Sequence, residues 1–189
     1  MTIYTHQLAF EAAKFKELML YAAEKSSSDD RFGATKLNKI LFFSDFLFYG
    51  LTGSPITGAT YQKLENGPAP IQLKPIAREI ENEGSGIFIK RAAFNYTQTV
   101  LVPKRPANRR LFSAEEIALV DDVIRDLAPR NAREASELSH VRSVAWQIAE
   151  IGEDIPYEAV FLSARKMTSA DIARGQELAR KHGWLSAAK

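Results

Sequence analysis

The chain has 189 residues, no cysteine and a net charge of +2, with 25 Lys and Arg against 23 Asp and Glu. That length suits one domain with a core large enough to need neither metal nor disulfide. Missing cysteine excludes thiolate catalysis and cysteine metal sites and fits a reducing cytoplasm. A nearly balanced charge argues against a dedicated nucleic-acid binder.

The N-terminal MTIYTHQLAF has neither a basic start nor an apolar run, so no secretory signal is expected. Leu8, Ala12, Phe15, Met19 and Ala22 recur at three- and four-residue spacing, which predicts an amphipathic helix over 7–25 with Lys14, Lys16, Glu17 and Glu24 off the apolar face. SSSDDRFG (26–33) reads as a loop, with Thr35 as N-cap of the next helix. That helix, KLNKILFFSDFLFY (36–49), is apolar nearly all round, so it belongs in the middle of the fold. It is too short and too polar to span a membrane, and Gly50 or Gly53 should end it.

Pro55, Pro68, Pro70 and the Asn66-Gly67 pair exclude a long helix from 54 to 70, leaving room for a short strand over 60–64. A helix over 72–83 accommodates Pro75 only in its first turn, and Gly84 stops it. GIFIKRA (86–92) and TQTVLV (97–102) predict a β-hairpin around Asn95 and Tyr96, ended by Pro103. PKRPANRR (103–110) then reads as a solvated basic linker or a contact for phosphate or an acidic partner. Ser113 and Glu116 have capping-box spacing, with Phe112 and Ile117 as a staple, opening a helix to about Leu127 with Ile117, Val120, Ile124 and Leu127 inward. Asn131 and Glu134 repeat the cap for a helix carrying Ala135 and Leu138. His140 falls near its end, and Trp146, expected in the core, falls in a short helix after it. Pro156 opens another helical run, and Thr168 with Asp171 marks a final helix to Gly183, before the tail WLSAAK. The sum is a mainly α (α+β) protein: a compact helical domain around a buried central helix, with one small antiparallel β-hairpin or three-stranded sheet.

Catalytic signatures fail in turn. Gly53 to Gly58 has phosphate-loop spacing, but Ala59 stands where the lysine is needed. No G-x-S-x-G elbow occurs, and His6, His140 and His182 are too scattered for a local zinc motif. Neither an enzyme, a cofactor nor a metal is expected. Lys36, Lys39 and Asp45 remain, since charges on a buried helix must pair internally, snorkel or be covered by a partner.

The run KLNKILFFSDFLFYGLTGSPITGATYQKLENGPAP resembles the signature of the Panacea domain, the SocA-like antitoxin family. The resemblance rests on Lys36, Leu37 and Lys39, then Pro55 to Gly58, then Tyr61 to Leu64, then Gly67-Pro68. ELSHVRSVAW adds Leu138, Ser139, His140 and Trp146. It spans about 8–163, with 1–166 as the family domain and 167–189 as a helical extension. Val141 and Arg142 depart from the family by replacing an acidic residue between histidine and tryptophan. The resemblance implies a cytoplasmic bacterial antitoxin that binds a cognate toxin directly and can deliver it to a ClpXP-type protease. It implies no membrane partner, and the oligomeric state stays open. The expected binding residues are Lys36, Lys39, Asp45, Tyr61, Glu65, Asn66, Gly67, Pro68 and His140, centred on the loop 65–70 and the charged end of the central helix. The alternatives are a winged-helix-like DNA-binding regulator, disfavoured by the acidic helix IAREIENE before the hairpin, and a hydrolase using His140.

Overall fold

A computed structural model describes residues 8–93, 96–162 and 168–181. Helix α1 (Ala12–Lys25) and helix α2 (Ala34–Thr52) lead into a hairpin of β1 (Tyr61–Leu64) and β2 (Gly67–Pro70), followed by α3 (Leu73–Asn82). Strands β3 (Gly86–Ala93) and β4 (Tyr96–Pro103) form a separate antiparallel pair. A 3-10 turn at Arg109–Leu111 precedes α4 (Ala114–Leu127), α5 (Ala132–Arg142) and α6 (Val144–Ile148). The short strand β5 (Asp154–Ile155), a 3-10 helix at Tyr157–Phe161 and α7 (Ser169–Lys181) complete the described chain. The fold is α+β, with both a hairpin and a three-stranded sheet, ordered β2-β1-β5, where one or the other was expected.

The centre is α2. Every residue from Leu37 to Phe46 except Asn38 is buried, and α1, α4, α5, β2, β4 and the 157–161 helix all pack on it. Its last turns emerge, with Leu47 and Leu51 exposed, and Gly53 closes the helix in a left-handed conformation, φ 78°. The N-cap is Gly33, not Thr35, and no side chain caps it. A Cβ on Gly33 would sit 3.0 Å from Gln98 Oε1, so β4 approaches the bare backbone closely there.

Helix α1 starts at Ala12, and the expected start at Gln7 lies outside the described residues. Its polar residues are not solvated as the periodicity suggests. Glu17 is buried, accepting from Arg105 Nη1 at 2.9 Å and Nη2 at 2.5 Å and from the Asn108 backbone N–H at 2.7 Å. The basic linker is therefore fastened at Arg105 to the first helix. Lys14 reaches Glu116 at 2.6 Å and Lys16 reaches Glu79 at 2.7 Å, tying α1 to α4 and α3. These pairs join elements distant in sequence, which no local pattern reveals.

Pro75 is the third residue of α3, inside the first turn as required. Both capping boxes form, Ser113 with Glu116 and Asn131 with Glu134. Along α4 the buried apolar residues are Val120, Val123 and Leu127, with Ile117 and Ile124 partly buried, so the inward face is turned slightly from the expected one. Thr168 caps α7 by accepting from Asp171 N–H at 3.2 Å, and none of this helix's residues is buried. Asn95, Gly183, the tail WLSAAK, His6 and His182 lie outside the described residues.

The segment expected as a loop over 65–70 is a tight hairpin: only Glu65 and Asn66 turn, and Leu64 pairs with Gly67, whose φ is 97°. Gly67 to Pro70 continue as a buried strand. Pro68 and Pro70 are tolerated because β2 is an edge strand.

Candidate functional site

Two polar clusters gather the residues singled out from the sequence. The first surrounds Asp45, one of the most deeply buried groups in the protein. Asp45 Oδ1 accepts from Thr57 N–H at 2.7 Å, and Oδ2 accepts from Thr57 Oγ1 at 2.6 Å and Tyr61 Oη at 2.8 Å. Tyr157 Oη lies 3.4 Å from Oδ2 and donates to the Ala59 carbonyl at 2.7 Å. One carboxylate thus joins α2, the 53–60 loop, β1 and the 157–161 helix. Burial raises the Asp45 pKa to about 6, against the pull of its hydroxyl and amide donors. Burial and the Asp45 charge push both tyrosines above their ordinary range. Phe42, Phe46, Tyr61 and Tyr157 pack around the cluster edge to face or tilted. Asp45 and Tyr61 were expected to meet a partner, but they are spent inside the domain. Thr57 and Tyr157 carry no sequence signal for this role, because only the fold brings them to Asp45.

The second cluster lies where α2, the β1–β2 turn, the end of α5 and α6 meet. Lys36 is buried and ion-paired to Asp29, and it also donates to the Ala128 carbonyl at 3.1 Å. The expectation that a partner covers Lys36 with an acidic group gives way here, since the loop before α2 already supplies the acid. Lys39, one turn on, is equally buried and donates to the Pro68 carbonyl at 3.2 Å. Among the described residues no carboxylate pairs with it. Burial lowers its pKa to about 7. Gly67 packs directly on this amine: a Cβ there would run into Lys39 Nζ and sit 2.6 Å from Ser139 Oγ. The glycine of Gly67-Pro68 is thus fixed both by φ and by contact.

His140 stacks on Trp146, centroids 3.6 Å apart and rings 3° from parallel. Burial, then the neighbouring Lys39 charge, lowers the His140 pKa. Trp146 Nε1 donates to the Leu64 carbonyl at 3.1 Å, and Lys63 Nζ stands 4.6 Å from the Trp146 ring. Trp146 is partly buried, packed against the core's edge rather than inside it, which corrects the expected core position. It supports the turn from below. Trp146→Ala should therefore cost about 2 kcal/mol, less than a fully buried ring would. Urea unfolding checks this, and a loss above about 4 kcal/mol would return Trp146 to the core.

Above this support Glu65 and Asn66 are exposed, with Leu64 beside them. Beneath the turn is a pocket of about 420 Å³ walled by Thr35, Asn38, Lys39, Leu64 and Gly67. A second hollow, of about 500 Å³, is lined by Leu47, Leu51, Val123 and Phe161. Among the described residues no group of three or more His, Asp or Glu is placed to hold a metal, and no helix is long and apolar enough to cross a membrane.

Lys39, Gly67, Pro68, Ser139, His140 and Trp146, far apart in sequence, thus form one support that holds up one small turn. Such an arrangement defines a small α+β domain that satisfies the charges of its central helix internally at Lys36 and Asp45 and presents a braced hairpin. The family model described as antitoxin SocA-like, Panacea domain, matches residues 37–147, more than half of the chain. The protein belongs to this SocA-like antitoxin family. The matched range contains the second cluster apart from the Lys36–Asp29 ion pair, which precedes it. No curated protein and no solved structure matches the chain.

Proposed function

We propose that the protein is the antitoxin of a bacterial toxin–antitoxin pair, acting in the cytoplasm by binding its cognate toxin directly, without catalysis. The family membership carries this reading. The contact surface in this reading is the braced β1–β2 turn, with Leu64, Glu65 and Asn66 touching the toxin. Lys39, Gly67, Pro68 and His140 act from beneath by holding the turn in shape. A preorganised turn loses little entropy on binding, and its acidic and apolar tip gives a partner both charge and area to match. Delivery of the bound toxin to a ClpXP-type protease is the downstream step we infer. A toxin half-life unchanged by loss of ClpX would leave occlusion alone.

Leu64→Glu with Glu65→Arg changes two exposed side chains and should leave the melting temperature within about 3 °C of the parent. Co-expression with the toxin encoded beside the gene should then lose growth rescue. Full rescue by the folded double variant would remove the turn as the contact surface. Failure of the parent itself to rescue would remove the antitoxin reading.

A further inference from the structure

We propose that the pocket beneath the β1–β2 turn is a receptor for a small monocarboxylic acid, with the Lys39 ammonium as its counter-ion. The inference stands apart from toxin binding, because it concerns the chain alone. Lys36 and Lys39 lie one turn apart on α2 at the same burial, yet they are treated differently. Lys36 has Asp29, whereas among the described residues Lys39 has one carbonyl, that of Pro68. A buried ammonium without a counter-charge is costly, and proteins ordinarily pair it. Lys39 lines the pocket, so an anion there can supply the counter-charge that the described residues do not. Burial holds the Lys39 pKa at about 7, and an incoming carboxylate would restore the charged form.

The remaining walls fit the same ligand. Asn38 Oδ1 is buried with no hydrogen-bond partner among the described residues. Turning this amide by a half rotation presents two N–H donors in its place. Gly67, also in the pocket wall, lets the Lys39 amine lie directly against the turn, where a Cβ would collide with it. Leu64, Ala69 and Ile151 offer an apolar wall for a body of a few carbons. One cation balances one carboxylate, and Glu65 at the rim disfavours the second charge of a phosphate. The volume, about 420 Å³, lies in the range of small-molecule sites.

The test titrates ¹⁵N-labelled protein with sodium butyrate against sodium chloride at matched ionic strength. Saturable shifts of the Asn66 and Gly67 amides are expected in the millimolar range, with a rising melting temperature. Lys39→Met keeps length and removes the charge, so it should fold and bind butyrate at least about tenfold more weakly. Asn38→Asp places a carboxylate in the pocket wall and should also abolish butyrate binding, which keeps the test decisive if Lys39→Met does not fold. No saturable shift in the parent, or equal responses in parent and folded variants, would overturn the proposal. An acetyl-Gly-Glu-Gly-amide peptide is the second probe. Tighter binding of this peptide than of butyrate would overturn the free-acid ligand in favour of an acidic side chain on a protein.

Discussion

Lys36→Glu combined with Lys39→Glu is expected to leave the chain without a cooperative unfolding transition. Position 36 would set a second carboxylate against Asp29 and strip the Ala128 carbonyl of its donor. Position 39 would aim a carboxylate at the Pro68 carbonyl oxygen inside the domain. Breaking a buried pair by removing one partner costs about 3–5 kcal/mol, and introducing like charges costs more. The broken Lys36–Asp29 pair and a second unpartnered carboxylate buried at position 39 together rival the whole stability of an ordinary domain, about 5–15 kcal/mol. Far-UV circular dichroism with a urea series measures the outcome. A variant that unfolds cooperatively within about 2 kcal/mol of the parent would show that both lysines can swing out to solvent. Lost growth rescue in this variant therefore reports lost structure and says nothing about a contact surface.

Asp45→Asn should flatten one part of the pH dependence of stability. The Asp45 pKa is about 6 in the folded protein and near its ordinary carboxylate value when unfolded. Between those values the folded state holds more protons than the unfolded one, so stability falls as pH rises through the window. A gap of roughly two pH units corresponds to about 3 kcal/mol, present below about pH 4 and lost above about pH 6. The asparagine variant has no such proton. The stability of the parent relative to Asp45→Asn should therefore drop by about 2 kcal/mol from about pH 4 to about pH 6.5. A difference constant across that range would mean that the carboxylate ionises alike in both states.

The elements are legible where local chemistry decides them. The all-round apolar run 36–49, the Ser113 and Asn131 capping boxes and Pro75 in a first turn each report on residues within a few positions, and the folded chain agrees. Thr35 suits a cap by its hydroxyl, yet the helix begins at Ala34, so Gly33 takes the role and Thr35 falls inside the first turn. The 65–70 stretch reads as a loop because two prolines rarely enter a sheet, and their edge position leaves no mark in the sequence. The residues of the candidate site are found this way, but not their orientation. Lys36, Lys39 and Asp45 stand out as charges on a buried helix, but nothing local in the sequence pairs them with Asp29, Pro68 and Thr57, which only the fold brings alongside. Strand β5 is two residues long, below what alternation can reveal.

Pro68 and Pro70 also decide how another chain can approach the sheet. Neither can donate a backbone hydrogen bond, so half of the positions in β2 are closed to main-chain pairing. The opposite border, β5, offers only Asp154 and Ile155. A neighbour therefore has no template along which to add a strand, and the sheet cannot grow into stacked copies of itself. Recognition by strand augmentation is closed to this sheet, and partners must read side chains instead.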